Sequence, residues 1–196
     1  MYSNFFDTNS YFIDEKVNFF QFENSYKVFN DKGEQVGAVK QKLTAGQKAL
    51  RLLLNKAMLP FLLEIKNIDE HKEASISRGW TFWMSKISIK DSNDMEIGTI
   101  QQKFKLFKPT FKILDNTGVQ IAEIGGDWKA WNFTIKDNAG TPIGTISKKW
   151  AGAMQEIFTS ADKYNVTLNA DYSNKENKMA ILAAAITIDM VLKESK

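Results

Sequence analysis

The chain of 196 residues contains no cysteine and a single histidine, His71. Without cysteine it can form no disulfide, no thiolate site for zinc or iron–sulfur clusters, and no thiol nucleophile. One histidine excludes a metal site built from several imidazoles. His71 lies in the polar stretch 69–73, and no Gly-x-Ser-x-Gly nucleophile motif occurs. We therefore expect neither an enzyme activity nor a bound cofactor.

Other functional signatures are also missing from the sequence. Neither Gly-x-x-x-x-Gly-Lys-Ser/Thr nor Gly-x-Gly-x-x-Gly occurs, so no loop for cradling a nucleotide is expected. No motif that reads DNA or RNA is visible, and we do not expect a nucleic-acid partner. The first residues lack a basic region followed by an apolar one, which predicts no signal peptide and a cytoplasmic protein.

The longest apolar run, Met179–Leu192, is too short to be a typical membrane span. Its fourteen residues make a helix of about 21 Å, whereas a bilayer core is about 30 Å thick. The run also contains Asp189, and a charged side chain near the centre of a bilayer costs a further ~2.5–3.5 kcal/mol in insertion free energy. A short helix that is apolar on every side is typical of a protein core. We predict a core helix over about 176–193, with a single-pass tail anchor as the alternative.

One pattern occurs four times in the chain, over residues 26–39, 87–100, 111–124 and 133–146. In each copy two stretches of alternating apolar residues flank a turn rich in Asn, Asp and Gly, which is typical of a β-hairpin. Asn30, Asp91, Asp115 and Asp137 open the turns, where a short polar side chain can bond the backbone ahead of it. Further strand-like runs lie at 61–66 and 74–77. The sequence therefore predicts a mostly-β protein, a closed antiparallel barrel of about 12 strands around the C-terminal helix.

Two runs of the chain carry basic residues without any acid. The first, 35–63, includes a predicted helix over 46–59 that ends before Pro60. The second, 97–114, alternates lysines with aromatic residues. Such runs can meet the phosphates of lipids, although a solvated face explains them equally well, and most aromatic residues are expected to pack in or against the barrel. We assign eight candidate lipid-binding residues: Lys48, Arg51, Lys56, Lys103, Phe104, Lys105, Phe107 and Lys108.

The last third of the chain resembles the phospholipid scramblase family. The matching positions are Gly144, Ile146, Lys148, Trp150, Gly152, Glu156, Phe158, Thr159, Ala161, Asp162, Ile188 and Asp189. Weaker matches extend the resemblance over about residues 15–193, which implies an N-terminal extension, 1–14, and one domain, 15–196. That family, with the LURP-one-related proteins, is held to share the Tubby C-terminal fold. The resemblance implies a non-enzymatic, scramblase-like module at anionic membrane surfaces; the alternative is a soluble barrel that serves as a scaffold for protein partners.

The resemblance has departures that bear on calcium. Animal scramblases carry a Pro-rich arm and an acylated cysteine-rich loop, and this chain has neither. Their calcium segment corresponds here to 160–171, where Ser160 replaces the first carboxylate and Asn165 stands where EF-hands have glycine. Asp162 and Asp171 remain as carboxylate ligands. Because a calcium ion takes about six to eight oxygen ligands, we expect this pair of carboxylates to bind it poorly.

Overall fold

Within the residues that the computed structural model describes, twelve strands form one closed antiparallel barrel in which sequence neighbours pair and the first strand closes against the last. Those residues are 4–18, 23–53, 59–80, 86–103, 110–127, 129–148 and 163–194. The strands are β1 (Ser10–Asn18), β2 (Glu23–Phe29), β3 (Gln35–Lys42), β4 (Phe61–Asn67), β5 (Lys72–Arg78), β6 (Lys86–Asp91), β7 (Glu96–Lys103), β8 (Thr110–Asp115), β9 (Gln120–Asp127), β10 (Asn132–Lys136), β11 (Pro142–Ser147) and β12 (Lys163–Leu168). Helix α1 spans Ala45–Leu53, helix α2 spans Lys175–Glu194, and a 3-10 helix spans Asn4–Phe6. The predicted barrel is confirmed, while its likeness to Tubby stays a prediction.

The four predicted hairpins are β2–β3, β6–β7, β8–β9 and β10–β11, and each turn is closed by the side chain that opens it. In β6–β7 the Asp91 Oδ1 accepts hydrogen bonds from the backbone N–H of Asn93 and of Met95, at 2.8 and 2.9 Å. Asn30, Asp115 and Asp137 accept equivalent bonds in their own turns. The predicted role of these four residues is confirmed.

A fifth hairpin of the same kind, β4–β5, was not among the predicted repeats. Asn67 opens its turn and accepts bonds from the N–H groups of Asp69 and His71, each at 3.0 Å. In this turn Glu70 lies in the left-handed backbone region, with a φ of 62°. Three of the four predicted turns have glycine at the equivalent place, and the β6–β7 turn has Asp94. The repeat pattern misses this hairpin because β5 lacks the apolar-Gly/Ala-x-apolar sequence that follows the turn in the four predicted copies.

The N-terminal segment belongs to the barrel to a greater extent than the resemblance implied. Strand β1 begins at Ser10, and it pairs with both β2 and β12. Before it, Phe5 and Phe6 are buried in the core, with their rings 4.8 Å apart in an edge-to-face contact. Residues 5–14, predicted as part of an extension, therefore help to fill and close the barrel.

Helix α2 runs through the centre of the barrel. All its residues from Lys178 to Leu192 are buried, and the four alanines at 180, 183, 184 and 185 are at most 1% exposed. Asn174 caps the helix, since its Oδ1 accepts the N–H of Asn177 at 3.0 Å. The predicted core helix is thus confirmed, with Lys175 as its first residue.

Helix α1 begins with a capping box. The Thr44 hydroxyl accepts the N–H of Gln47, and the Gln47 side chain accepts the N–H of Thr44, at 3.2 and 2.9 Å. The helix is described to Leu53 rather than to the predicted residue 59, and residues 54–58 lie outside the described part of the chain.

Replacing Asp91 tests the turn chemistry. Asp91→Ala removes two hydrogen bonds from a side chain that is 5% exposed, so we expect the free energy of unfolding to fall by about 1–2 kcal/mol. Asp91→Asn keeps the acceptor, as Asn30 and Asn67 do in their turns, and should lose less than half of that. Urea denaturation of the two variants measures the difference; equal losses would show that the acceptor is not what matters.

Enlarging an alanine of α2 tests how tightly the barrel encloses it. Ala184 is fully buried, so Ala184→Leu should destabilise the fold by about 1–3 kcal/mol through overpacking. The matched control is Ala139→Leu in the exposed turn between β10 and β11, which should change stability by less than about 0.5 kcal/mol. Thermal unfolding followed by circular dichroism compares the two, and an unaffected Ala184→Leu variant would contradict the enclosed helix.

Candidate functional site

The antiparallel barrel sorts its connections between two ends. At one end, which we name the hairpin end, lie the five short turns and the segment 169–174 that leads into α2. At the other, the loop end, strands are joined through 19–22, 43–60, 79–85, 104–109, 128–131 and 148–162. Because successive strands run in opposite directions, consecutive connections alternate strictly between the two ends. Residues far apart in sequence are therefore brought to one side of the molecule.

The connections at the two ends carry opposite charge, although lysines of the strands pair with two of the hairpin-end acids, Lys40 with Glu70 and Lys72 with Asp94. The six connections of the hairpin end contain seven acidic residues and one lysine, whereas those of the loop end contain eight basic residues and two acids. Helix α1 and the segments 104–109 and 128–131 supply most of the basic residues. The modest net charge of +3 conceals this separation.

All five tryptophans of the chain, at positions 80, 83, 128, 131 and 150, fall in the connections of the loop end. Trp80 follows β5 and is 54% exposed. Trp80 is therefore an exception to the prediction that most aromatic residues pack in or against the barrel. The packing prediction is confirmed for Phe111 and Phe133, which are fully buried.

Seven of the eight candidate lipid-binding residues belong to two connections of the loop end, 43–60 and 104–109, and the eighth, Lys103, ends the strand before the second. The structure describes few of their side chains. Lys48 is half-buried on α1. Arg51 lies on α1 and Lys103 ends β7, but nothing is described beyond their backbone. The other five, Lys56, Phe104, Lys105, Phe107 and Lys108, lie outside the described residues. The assignment of these eight residues stays a prediction.

Acids of β4 and of the β4–β5 turn lie beside the first acid-free run of the sequence. Lys40 forms an ion pair with Glu70 at 2.8 Å, and Lys42 pairs with Glu64 at 3.4 Å. Both lysines lie on β3, outside the loop-end connections. The other basic residues of this run, Lys48, Arg51 and Lys56, belong to the connection 43–60.

A stack of described side chains connects the loop end to the core. The Lys148 Nζ lies 4.8 Å from the centre of the Trp131 ring, and this ring lies 5.3 Å from that of Tyr164. Burial raises the pKa of Tyr164 well above 10, and the negative charge of Asp189 on α2 raises it further. Trp131 has a φ of 50°, an uncommon value for a bulky residue, and its carbonyl accepts the N–H of Lys148 at 3.3 Å. Sequence reasoning assigned no role to this pair.

Arg78 anchors the chain where it returns from the loop end to β4. Arg78 is 5% exposed. Its guanidinium donates a hydrogen bond to the carbonyl of Leu59 at 2.8 Å and lies 4.8 Å from the centre of the Phe61 ring. The cation is therefore part of the framework under the loops, and it is not offered to a ligand.

The predicted calcium pair is divided by a strand. Residues 163–168 form β12, which pairs with β1 and β11, and the extended strand covers about 16–20 Å. Asp171 lies beyond it in an exposed turn at the hairpin end, while Asp162 lies outside the described residues. Because this stretch is paired strand, it does not form the compact loop that an EF-hand-like site requires. In the described part of the chain, no group of three or more His, Asp or Glu is placed to hold a metal ion.

Comparison with known proteins agrees with this architecture. The family model named Scramblase matches residues 13–195, almost the whole barrel and its helix. The chain belongs to the scramblase family. Human phospholipid scramblase family member 5 is 27% identical over 119 residues, which is 57% of this chain and 44% of that protein. Human phospholipid scramblase 1 is 27% identical over 119 residues, 57% of this chain and 37% of that protein.

This scramblase-family chain spans less than half the length of the curated relatives that it matches. In its described residues, no helix combines the length and the apolar character needed to cross a bilayer.

Tyr164→Phe tests the buried stack. The Tyr164 hydroxyl has no hydrogen-bond partner among the described residues, so its removal should stabilise the fold by up to about 1 kcal/mol at pH 7. Above pH 10 the unfolded chain loses the phenolic proton while the folded protein keeps it, so stability falls as the pH rises. The variant should therefore unfold at a higher pH.

The contrast is Tyr172→Phe, which removes a hydroxyl that bonds Asn177 and should destabilise the protein at pH 7. Unfolding curves at pH 7 and between pH 9 and 12 compare the three proteins. If Tyr164→Phe were less stable than the wild type at pH 7, its hydroxyl would have to be bonded.

Proposed function

We propose that the loop end binds the surface of anionic phospholipid membranes, without covalent chemistry. The observation that carries this proposal is the coincidence of eight basic residues and all five tryptophans in the connections of one barrel end. Membership of the scramblase family, whose human relatives are named for phospholipids, supports the same function.

Each component of this end suits the boundary between water and lipid. Tryptophan rings are amphipathic and prefer the level of the headgroups, where one edge is apolar and the other is wet. Lysine and arginine near an anionic leaflet gain about 1 kcal/mol each from its surface potential. Trp80, more than half exposed on the surface of a folded barrel, has a physical reason to be there if it enters the interface.

The opposite charge of the two ends gives the barrel an orientation. The connections of the loop end, with their excess of basic residues, are attracted to an anionic surface, whereas those of the hairpin end, with their excess of acids, are not. The protein would therefore attach peripherally by the loop end. The axis of α2 would be roughly perpendicular to the membrane surface, and the hairpin turns would lie in water. Candidate residues on α1 and in 103–108 would lie on the lipid side.

Movement of lipid between leaflets is a separate and stronger proposal. Reconstitution into vesicles with a fluorescent phosphatidylserine, followed by dithionite quenching, measures it directly. Binding without quenching of the inner leaflet would limit the function to surface attachment.

Lysine replacement tests the electrostatic part of the proposal. In co-sedimentation with vesicles of 30 mol% phosphatidylserine at low salt, roughly 30-fold weaker binding is expected of Lys105→Gln/Lys108→Gln. The matched control, Lys32→Gln/Lys136→Gln, removes two exposed lysines near the hairpin end and should bind as the wild type does. Equal losses in both double variants would indicate attraction by net charge alone, and no pelleting of the wild type would favour the soluble scaffold.

Trp80→Ala tests the interfacial part. Loss of this exposed ring should weaken binding to the same vesicles by about tenfold while leaving the melting temperature unchanged. Met95→Ala, which removes a 61% exposed apolar side chain from the hairpin end, is the matched control and should have no effect. Binding that survives Trp80→Ala but not Met95→Ala would reverse the orientation.

A further inference from the structure

Leu62 is an exposed apolar residue on the barrel wall, close to the loop end. It is the second residue of β4, and its side chain points outward and is 38% exposed, whereas Phe61 and Leu63 on either side of it are buried. Ser77 lies opposite Leu62 on β5, and Trp80, 54% exposed, comes three residues after Ser77, beyond the end of β5. Of the five large apolar side chains that are exposed in the described part of the chain, Leu62 and Trp80 are the two that lie toward the loop end.

Elsewhere on the wall the residues near the loop end are polar wherever their side chains are described. Because side chains alternate along a strand, the buried residues of each strand identify the outward residue that is nearest to the loop end. On β6 and on β8 to β12 this residue is polar or charged: Lys86, Thr110, Asp127, Asn132, Ser147 and Lys163. Along the described part of the wall, an apolar residue therefore reaches the loop end on the β4–β5 side only.

The charges nearest to Leu62 are held away from the loop end. Lys42 lies opposite Leu62 on β3, and its Nζ pairs with the carboxylate of Glu64 at 3.4 Å. Glu64 is on the same face of β4 as Leu62, two residues or about 7 Å further from the loop end. Leu62 can therefore enter lipid without taking a charge with it, and the Lys42–Glu64 pair, which is costly to remove from water, limits how far the wall can sink.

The connections on either side of Leu62 suit an anionic membrane. The connection 43–60, between β3 and β4, contains three basic residues and no acid, and the connection 79–85, between β5 and β6, contains no charged residue. Both acids of the loop end belong to the connection 148–162, between β11 and β12. At least three strands separate that pair of strands from β4 and β5 around the barrel.

We infer that the barrel attaches to an anionic bilayer by the β4–β5 side of its loop end, with Leu62 and Trp80 as its apolar anchor. This inference rests on the proposed lipid function, and it adds to that function an orientation and a lipid-contacting residue outside the loops. A leucine and an indole both gain free energy when they enter the boundary between headgroups and acyl chains. The barrel then leans toward β4 and β5. Asn132, at the edge of the opposite strand β10, stays further from the lipid.

Dyes attached at single positions test this orientation. Because the chain has no cysteine, Leu62→Cys, Asn132→Cys and Val119→Cys each provide one labelling site, and all three positions are exposed. The first two mark opposite sides of the loop end, and Val119 lies in a hairpin turn. Each variant carries a nitrobenzoxadiazole dye, whose emission rises and shifts to the blue in lipid, and is titrated with the phosphatidylserine vesicles. Emission should rise at least about twofold at position 62, clearly less at 132, and stay unchanged at 119.

Replacement of the anchor measures its contribution to binding. Leu62→Ser should weaken co-sedimentation with these vesicles about fivefold and keep the wild-type melting temperature, since the side chain is exposed. Val119→Ser, which removes a 55% exposed apolar side chain from the hairpin end, is the matched control and should bind as the wild type does. Ser77→Leu, beside Leu62, should strengthen binding about threefold, whereas Asn132→Leu on the opposite side should not.

Three results would overturn the inference while a wild type that pellets with the vesicles upholds the proposed function. One is an equal rise in emission at positions 62 and 132, which would mean that the barrel stands level on the membrane. Another is unchanged emission at position 62, which would confine the contact to the loops. The third is wild-type affinity of Leu62→Ser. A wild type that does not pellet would instead contradict the proposed function, and the orientation would fail with it.

Discussion

Enclosure of the apolar helix α2 is the constraint on which the rest of this structure depends. A segment with fifteen consecutive buried residues has no polar face to offer to water, so it must be surrounded on all sides. A closed barrel does so, and closure also leaves no strand edge exposed. The five side-chain-closed turns, the aromatic residues Phe5 and Phe6 and the ion pair of Asp14 with Lys163 at 3.6 Å across the β1–β12 seam all serve this closure.

Closure has a functional consequence, since it leaves the two ends of the barrel and its outer face as the surfaces that a partner can reach. Five of the connections at the hairpin end are short turns. Most connections at the loop end are longer than these turns, and together the loop-end connections contain all five tryptophans and eight basic residues. The charge distribution thus identifies the loop end as the surface that the proposed lipid binding would use.

The repeat pattern was sufficient to predict the barrel. A chain built of successive hairpins with alternating apolar residues forms an antiparallel sheet, and the apolar C-terminal helix requires that sheet to close around it. The β4–β5 hairpin escaped prediction because its second strand lacks the apolar-Gly/Ala-x-apolar sequence that the four predicted copies share. The role of Phe5 and Phe6 also escaped it, because no periodicity marks so short a segment. The location of all five tryptophans at one end was within reach of the sequence: once the hairpins were recognised, alternation of the connections would have placed them together. By contrast, the pairing of Lys40 with Glu70 and the stack of Lys148 on Trp131 depend on contacts between strands distant in sequence.

Intrinsic tryptophan fluorescence is the most direct test of the central claim, because every tryptophan belongs to the loop end. The unmodified protein is titrated with vesicles of 30 mol% phosphatidylserine, with and without brominated acyl chains. If the loop end enters the interface, the emission shifts to the blue on binding, and brominated lipid quenches it. Protein that pellets with the vesicles while its emission stays unshifted and unquenched would be bound by another surface, and this would contradict the account.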